Sequence, residues 1–408
     1  MLPVAEARQR ITSHFHPVPA ETLPLAACAN RVLAMDISAA NDLPLFDNSS
    51  MDGFAIRSAD TANAAPASRV TLRVVADIPA GLAPTISLAP GEAARIMTGA
   101  QIPDGSDAVI PVEDTDFNNR KAGAPPPERI TLDKAIKQKD NIRPRGMDAH
   151  TGDIILNKGH QLRSQDLGVL AMLGVAQVEV YKKPRIALLS SGDELIEIDA
   201  PLQAGKIRDS NTYMIASLIE STGAEVIRLG IAKDNRKSVE ELVMKAVAQK
   251  ADLILSSAGV SVGAYDFIKE VIESNGKLDF WRVNMRPGKP LAFGEYDGIP
   301  FIGLPGNPVS AFVGFEVFVR AAIGKLSGKL NEDRIKVRVR CEEQIDSDGR
   351  ESYLRAIIHE RDGVSFAKLT GHQGSGNLLS LVQGNALLII PAGVKCVPAD
   401  REMDAWLL

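Results

Sequence analysis

The chain has 408 residues, 45% of them apolar and 24% charged, and a formal net charge of −5. At about 100–200 residues per domain this is too long for one ordinary core, and the composition excludes a disordered chain. The negative balance argues against general nucleic-acid affinity and leaves room only for a local basic pocket that takes a small anion.

Three cysteines, Cys28, Cys341 and Cys396, show no CxxC spacing. They read as scattered buried thiols of a reducing compartment, not as a zinc site or a disulfide framework. The first thirty residues lack a basic stretch followed by an apolar run, so no secretory signal is expected. No run of about 18 apolar residues is present to span a membrane. His14 and His16 lie close together with no third metal ligand near in sequence.

Residues 1–44 start with a helical pattern that Pro3, Pro17, Pro19, Pro24 and Pro44 cut into short pieces. Residues 45–142 carry short apolar runs such as "VTLRVVADI" (70–78) between Gly and Pro, which predicts an all-β module. Within it, the polar, Pro-rich stretch 118–129 predicts an exposed loop. Residues 143–180 return to mixed structure with a helix near 164–173. From 181 to 328, strands and helices alternate. "RIALLS" (185–190), "EVIRLGIA" (225–232), "DLILSS" (252–257) and "LDFWRV" (278–283) are predicted strands. Helices are predicted at 211–222, 238–249, 266–274 and 308–324. Ser238 and Glu241 have capping-box spacing for the second of these, and Asp297-Gly298 predicts a hairpin. The alternation implies a parallel sheet covered on both faces. After 329 the period changes to two: Ile335, Val337, Val339 and Cys341 alternate with Lys336, Arg338 and Arg340. With turns at Asp348-Gly349 and Asp362-Gly363, this tail reads as a small all-β barrel or sandwich, its basic face simply solvated.

Ligands of parallel α/β sheets bind beyond the carboxyl ends of the strands. Those ends here lead into "SGDEL" (191–195), Asp234, "AGVSVGAYD" (258–266), "NMRPGKP" (284–290) and "LPGNP" (304–308). Gly259 and Gly263 would let backbone amides approach an anion, and Ser257 and Ser261 can donate hydroxyl hydrogens. Arg286 and Lys289 bring two cations on a loop stiffened by Pro287 and Pro290, which suits a tetrahedral oxyanion or a phosphate. Asp193, Glu194, Asp234 and Asp266 beside such a site imply Mg²⁺ between acids and phosphate. Turn and N-cap duty is the alternative for Asp193 and Asp234.

The segments "NSSMDGFA" (48–55), "IMTGAQIPDGSDAVIPVED" (96–114), "SSGDEL" (190–195), "SAGVSVGAYD" (257–266), "MRPGKPLAFG" (285–294), "LPGNPVSA" (304–311) and "GHQGSGNLLSL" (371–381) resemble, in order and along the whole chain, the molybdopterin molybdenumtransferase (MoeA) family, which includes the E-domain of gephyrin. Where that family has Gly-Gly-Val-Ser this chain has Ala258, where it often has an acid after "VSVG" there is Ala264, and Arg286 replaces a lysine. The resemblance implies an elongated multi-domain α/β plus β subunit. Its parts would be a mixed, extended domain I (1–44 and 143–180), an inserted β domain II (45–142), a three-layer α/β parallel-sheet domain III of molybdopterin-binding type (181–328) and a C-terminal β-barrel, domain IV (329–408). It further implies a homodimer whose active site joins domain III of one subunit to domains I and II of the other.

Carried over by motif, the implied site comprises Asp52, Thr98, Arg143, Asp148, Glu194, Asp234, Asp266, Lys289, Pro305, Pro308 and Ser375. The implied reaction inserts molybdate into adenylylated molybdopterin, with Mg²⁺-dependent release of AMP. Ser257, Gly259, Ser261 and Gly263 would cradle the pterin phosphate, Asp234 and Asp266 hold Mg²⁺, and Arg286 and Lys289 offset the molybdate charge. Asp52 and Asp148 would orient the pterin or a water. A cytoplasmic enzyme in transient contact with the upstream molybdopterin adenylyltransferase is expected, with no nucleic-acid or membrane partner. The alternatives are a tungstate-specialised paralogue and a gephyrin-like scaffold without transferase activity. The sister adenylyltransferase resembles domain III alone.

Overall fold

The computed structural model describes residues 1–117, 123–258 and 267–408. The chain divides into two compact units, one formed by residues 1–35 and 158–408 and the other by 36–157. No helix among the described residues is long and apolar enough to cross a membrane. The chain opens with helix α1 (Val4–Thr12), which buries Val4, Ala7 and Ile11 at the three- and four-residue spacing of one helix face.

Unit 36–157 is built on a five-stranded sheet of β1 (Gly53–Ile56), β2 (Val70–Ile78), β3 (Glu92–Ile96), β4 (Ala108–Pro111) and β5 (Arg129–Leu132), ordered β4-β1-β3-β2-β5. It is an all-β module, as the short apolar runs predict. Alternate residues feed two cores, Phe54, Ile56 and Ile110 on one face and Ala55, Ile96 and Val109 on the other. A short antiparallel pair, Asn48–Ser49 with Ile142–Arg143, ties the two ends of the module together.

In the other unit, helix α2 (Ser164–Met172) precedes the α/β part. Its elements are β6 (Arg185–Ser191), α3 (Asn211–Ser221), β7 (Glu225–Ala232), α4 (Arg236–Ala248), β8 (Leu253–Ser257), α5 (Phe267–Ser274), β9 (Gly276–Arg282), β10 (Met285–Arg286), β11 (Pro290–Tyr296), β12 (Ile299–Leu304), α6 (Pro308–Gly314) and α7 (Arg320–Leu326). The sheet order is β7-β6-β8-β12-β11-β9. β6, β7, β8 and β12 are mutually parallel, while β11 runs antiparallel between β12 and β9. The antiparallel strand follows from the Asp297-Gly298 hairpin, where both residues take positive φ (50° and 77°), as a two-residue turn of this kind requires.

Strand alternation again decides the layers. Ile186, Leu188, Leu253 and Leu255 face α1, α3 and the α6–α7 helices, whereas Ala187, Leu189 and Ile254 face α4 and α5. Each fully buried Leu or Ile contributes roughly 1.5–3 kcal/mol, so both faces are strongly specified. The predicted helix 308–324 is one continuous rod, but a π turn at Phe315–Val319 separates α6 from α7.

The tail forms β13 (Lys336–Cys341), β14 (Glu351–Arg361), β15 (Val364–Leu369), α8 (Leu379–Gln383), β16 (Ala386–Ile390) and β17 (Glu402–Leu407). Strands pair in the order β14-β15-β13-β17-β16, and β16 returns to β14, which closes a five-stranded barrel. The basic face of β13 is neutralised by its neighbour: Lys336 and Arg338 pair with Asp404, and Arg340 with Glu402.

Candidate active site

β9 is antiparallel to β11, and β11 to β12, so β9 ends at the same edge as β6, β7, β8 and β12. The segments 191–195, 284–290 and 304–308 and the loop of Asp234 therefore leave one edge of one sheet. Of the segment 258–266, only Ala258 is described; Gly259, Ser261, Gly263 and Asp266 lie outside the described residues. The sheet order sorts the chemistry along that edge. Carboxylates stand at β7 and β6, a hydroxyl and an amide at β8 and β12, and cations where β9 passes into β11. From β6 to β11 is three strand spacings, about 14 Å.

At the acidic end, Asp193 and Asp234 grip one another. The Asp193 N–H donates to Asp234 Oδ2, and the Asp234 N–H donates to Asp193 Oδ1, both at 3.2 Å. The Lys206 ammonium donates to the Asp193 carbonyl. Neither acid caps α4. That helix starts at Arg236 and its cap is Asn235, whose side chain accepts the Ser238 N–H at 2.9 Å. This corrects the capping-box reading of Ser238, whose hydroxyl instead accepts the Lys233 N–H. The exposed Glu194 folds back over Gly192 (φ 151°), where an added Cβ would stand 2.6 Å from Glu194 Oε2. The φ of 151° favours glycine at this position, whereas the exposed Glu194 carboxylate could swing away from a Cβ.

In the middle, Ser257 is almost wholly buried. Asn211, the first residue of α3, donates from Nδ2 to Ser257 Oγ at 2.8 Å and to the Gly306 carbonyl at 2.7 Å. The Ser257 hydroxyl hydrogen is thus left for another acceptor. Asn211 Oδ1 is buried without a partner among the described residues, an arrangement that costs free energy unless something fills it. Asp209 accepts both the Thr212 N–H (3.1 Å) and its hydroxyl (2.6 Å), holding the start of α3 against Ser190. The sequence predicts here only the helix at 211–222; the visible signal for more was the run Asp209, Ser210, Asn211, Thr212. The Ala258 N–H donates to the Leu304 carbonyl at 3.0 Å with φ at 83°, a left-handed conformation that a Cβ disfavours. Pro305 is buried, and Pro308 opens α6 at the position where a missing N–H costs nothing.

At the cationic end the α/β part and the barrel merge. β10 pairs in parallel with the first residues of β14, Met285 with Glu351 and Arg286 with Ser352. Arg286 is half-buried with Nη1 3.9 Å from Asp348 Oδ2, and Lys289 is exposed with no ion-pair partner among the described residues. The barrel adds a cation that sequence reasoning missed. Arg355 is fully buried, donates from Nε to Ser380 Oγ (3.0 Å) and from Nη2 to the Gly374 carbonyl (3.1 Å), and leaves Nη1 without a partner among the described residues. Burial, then the charge of Arg286, pushes its pKa down to about 10. In the sequence it is the one charge in the apolar run "YLRAII" (353–358). Ser375 meets this edge through its backbone, its carbonyl accepting the Val309 N–H at 3.1 Å.

Unit 36–157 holds the remaining predicted residues in two pairs. Asp52 Oδ1 accepts the Thr98 N–H and the Thr98 hydroxyl, each at 2.7 Å. The Thr98 backbone bond, then its hydroxyl bond, holds the Asp52 carboxyl below its ordinary range. Arg143 Nη2 lies 2.6 Å from Asp148 Oδ2, and both side chains are exposed.

Among the described residues no group of three or more His, Cys, Asp or Glu could enclose a metal. His14 is occupied otherwise, with Nδ1 2.7 Å from the Arg10 carbonyl and its ring edge-on to Phe293. The Asp193–Asp234 pair offers two carboxylates, a donor set that fits Mg²⁺. That ion characteristically takes one or two carboxylates, keeps several waters and borrows ligands from substrate phosphates.

Family models match along the chain: "MoeA N-terminal region (domain I and II)" over residues 2–174, "Probable molybdopterin binding domain" over 187–325, and "MoeA C-terminal region (domain IV)" over 338–408. A molybdopterin molybdenumtransferase of Nostoc is 40% identical over 94% of this chain and 87% of its own length. One from Haemophilus influenzae is 41% identical over 96% and 94%. The crystal structure of the molybdopterin biosynthesis moeA protein from Pyrococcus horikoshii, 30% identical, superposes with a TM-score of 0.85 and full coverage of both chains. With matches of this strength spanning all of its parts, the chain belongs to the molybdopterin molybdenumtransferase family of enzymes.

Proposed function

We propose that this enzyme inserts molybdate into adenylylated molybdopterin, with Mg²⁺-dependent cleavage of the phosphoanhydride and release of AMP. The observation that carries the reading is the ordering of charge along one sheet edge, acids at β6 and β7 and cations at β10 and β11. An elongated substrate with phosphates at one place and an oxyanion acceptor at another needs such a row. Relatives matching nearly end to end are named molybdopterin molybdenumtransferase, which supports the molybdenum-insertion part of the reading.

In this scheme Asp193 and Asp234, with Asp266, hold Mg²⁺, which supplies charge neutralisation at the phosphoanhydride. Ser257, fixed by Asn211, donates its hydroxyl to a phosphate oxygen, and Gly259, Ser261 and Gly263 continue that cradle. The unpartnered Asn211 Oδ1 accepts a donor from the substrate. Arg286, Lys289 and the buried Arg355 attract the molybdate dianion, and the stiff Pro305–Pro308 loop and Ser375 keep the α6 start in place. Glu194 stands over the acidic end as a proton acceptor. Asp52, kept ionised by Thr98, and the Arg143–Asp148 pair orient the pterin or a water. The working unit is a homodimer in the cytoplasm that receives its substrate from a molybdopterin adenylyltransferase.

Reconstitution with purified adenylylated molybdopterin tests the scheme. Cofactor formation and AMP release should both require molybdate and Mg²⁺. AMP release unaffected by omitting both would refute it, and a parallel tungstate series measures the preference between the two oxyanions.

A further inference from the structure

The cationic loop is held from two sides: the Val283 N–H donates to the Lys289 carbonyl at 2.9 Å across its base, and the barrel grips its middle. Met285 and Arg286 form a strand of the barrel, and two further bonds fasten the loop there. The Glu351 N–H donates to the Asn284 carbonyl at 3.2 Å, and Arg350 Nη1 donates to the Met285 carbonyl at 3.2 Å. Arg350 Nε in turn donates to Asp348 Oδ2 at 3.0 Å, while the Arg350 backbone N–H donates to Asp348 Oδ1 at 3.1 Å. The same Asp348 Oδ2 lies 3.9 Å from Arg286 Nη1. One carboxylate is therefore shared by two guanidinium groups. The turn that carries it is pinned to the rest of the barrel by the Gly393 N–H on the Gly349 carbonyl at 2.8 Å.

We infer that the Asp348–Arg350 turn is a positioning device for Arg286, aiming its guanidinium and so setting how tightly the oxyanion substrate is held. The inference rests on the reading that Arg286 meets the oxyanion. Two facts favour aiming over charge cancellation. The Arg286 and Asp348 side chains are 43% and 39% exposed, so solvent screens their attraction and little of the Arg286 charge is lost. Arg286 is also repelled by the buried Arg355, whose pKa burial lowers first and the Arg286 charge lowers further. Attraction to a carboxylate held by the turn, with repulsion from a second guanidinium, narrows the choice for a side chain that otherwise has many rotamers. Asp348 touches no reacting atom in this scheme; it acts through Arg286.

The test is the molybdate dependence of cofactor formation in the full-length protein for Arg286→Ala, Asp348→Asn, Asp348→Glu and the double variant Asp348→Asn/Arg286→Ala, with melting temperatures recorded for each. Asp348→Asn should raise the KM for molybdate about five- to tenfold, the scale of one weakened charge-assisted contact, with kcat falling less than KM rises. Asp348→Glu should recover most of the loss. In the Arg286→Ala background, Asp348→Asn should add nothing, since residues that act as one unit are not additive. Additive losses, or a wild-type KM in Asp348→Asn beside a raised KM in Arg286→Ala, would overturn the positioning role alone. A wild-type KM in Arg286→Ala would overturn it together with the oxyanion reading.

Discussion

Asp193 and Asp234 each spend one carboxylate oxygen on the other's backbone N–H, and Asp193 Oδ2 and Asp234 Oδ1 accept no hydrogen bond among the described residues. Two acids clamped side by side with an oxygen apiece to spare differ from two turn residues. Mutual capping fixes their geometry without a third element, and the spare oxygens lie beyond the ends of adjacent parallel strands.

If these oxygens hold Mg²⁺, Asp234→Asn should raise the Mg²⁺ concentration for half-maximal AMP release by about tenfold or more, the cost of one lost charged ligand. Asp266→Asn should act in the same direction. The asparagine amide can still accept the Asp193 N–H, so the fold should survive, as circular dichroism would verify. Unchanged Mg²⁺ curves in both variants would remove both acids from the metal site.

Lys289→Ala should weaken molybdate use by about ten- to a hundredfold while leaving adenylylated pterin binding less affected. The motive is electrostatic. Unit charges at 4 Å interact with roughly 4 kcal/mol at an effective dielectric of 20, so a dianion near phosphates needs cations. Lys289→Arg should replace it only in part, because a planar fork succeeds a point charge. Measured molybdate curves decide; a wild-type curve for Lys289→Ala removes the residue from the site.

Ala258→Gly should stabilise the protein by about 0.5–1 kcal/mol, since φ at 83° strains any Cβ and glycine relieves it. Urea unfolding measures this, and a loss of stability would show that the alanine methyl packs usefully.

Asp42 carries an acid-stability prediction. It accepts the Thr151 N–H at 2.8 Å, Arg145 Nε at 2.6 Å and the Thr151 hydroxyl at 2.9 Å, and in that order these hold its pKa down at about 2. A depressed folded-state pKa stabilises above the unfolded value near 3.9, and that stabilisation disappears as pH falls toward 2. Calorimetry at several pH values should therefore show wild type melting above Asp42→Asn by a constant margin at pH 5 and higher. The margin should shrink between about pH 4 and 2. A margin independent of pH would contradict the linkage.

Glu316, on the π turn, is buried between Arg320 (2.6 Å) and Arg334 (2.8 Å). Burial alone would push its pKa up, but hydrogen bonds from Arg334 and Arg320 outweigh burial and hold it low. Glu316→Gln leaves two guanidinium groups short of their counter-charge and should cost about 3–5 kcal/mol in chemical denaturation. A loss under about 1 kcal/mol would mean that water already compensates the pair.

The sequence by itself determined the α/β module, because strands rich in Leu, Ile and Ala alternate with helices whose apolar stripes recur every three to four residues. It also determined the edge at which the chemistry gathers, since parallel strands must end on the same side. It did not decide the order of strands along that edge, which sets acids at one end and cations at the other. Local period says nothing about which strand lies beside which; that follows from how α3 and α4 pack on opposite faces. Nor did it decide that Arg286 belongs to a barrel strand, that Arg355 reaches the same neighbourhood from "YLRAII", or that Asn211 locks Ser257 to Gly306. Each of these joins residues 46 to 95 positions apart or lying in different parts of the chain, and only burial in the folded chain, where every polar group must find a partner, brings them together.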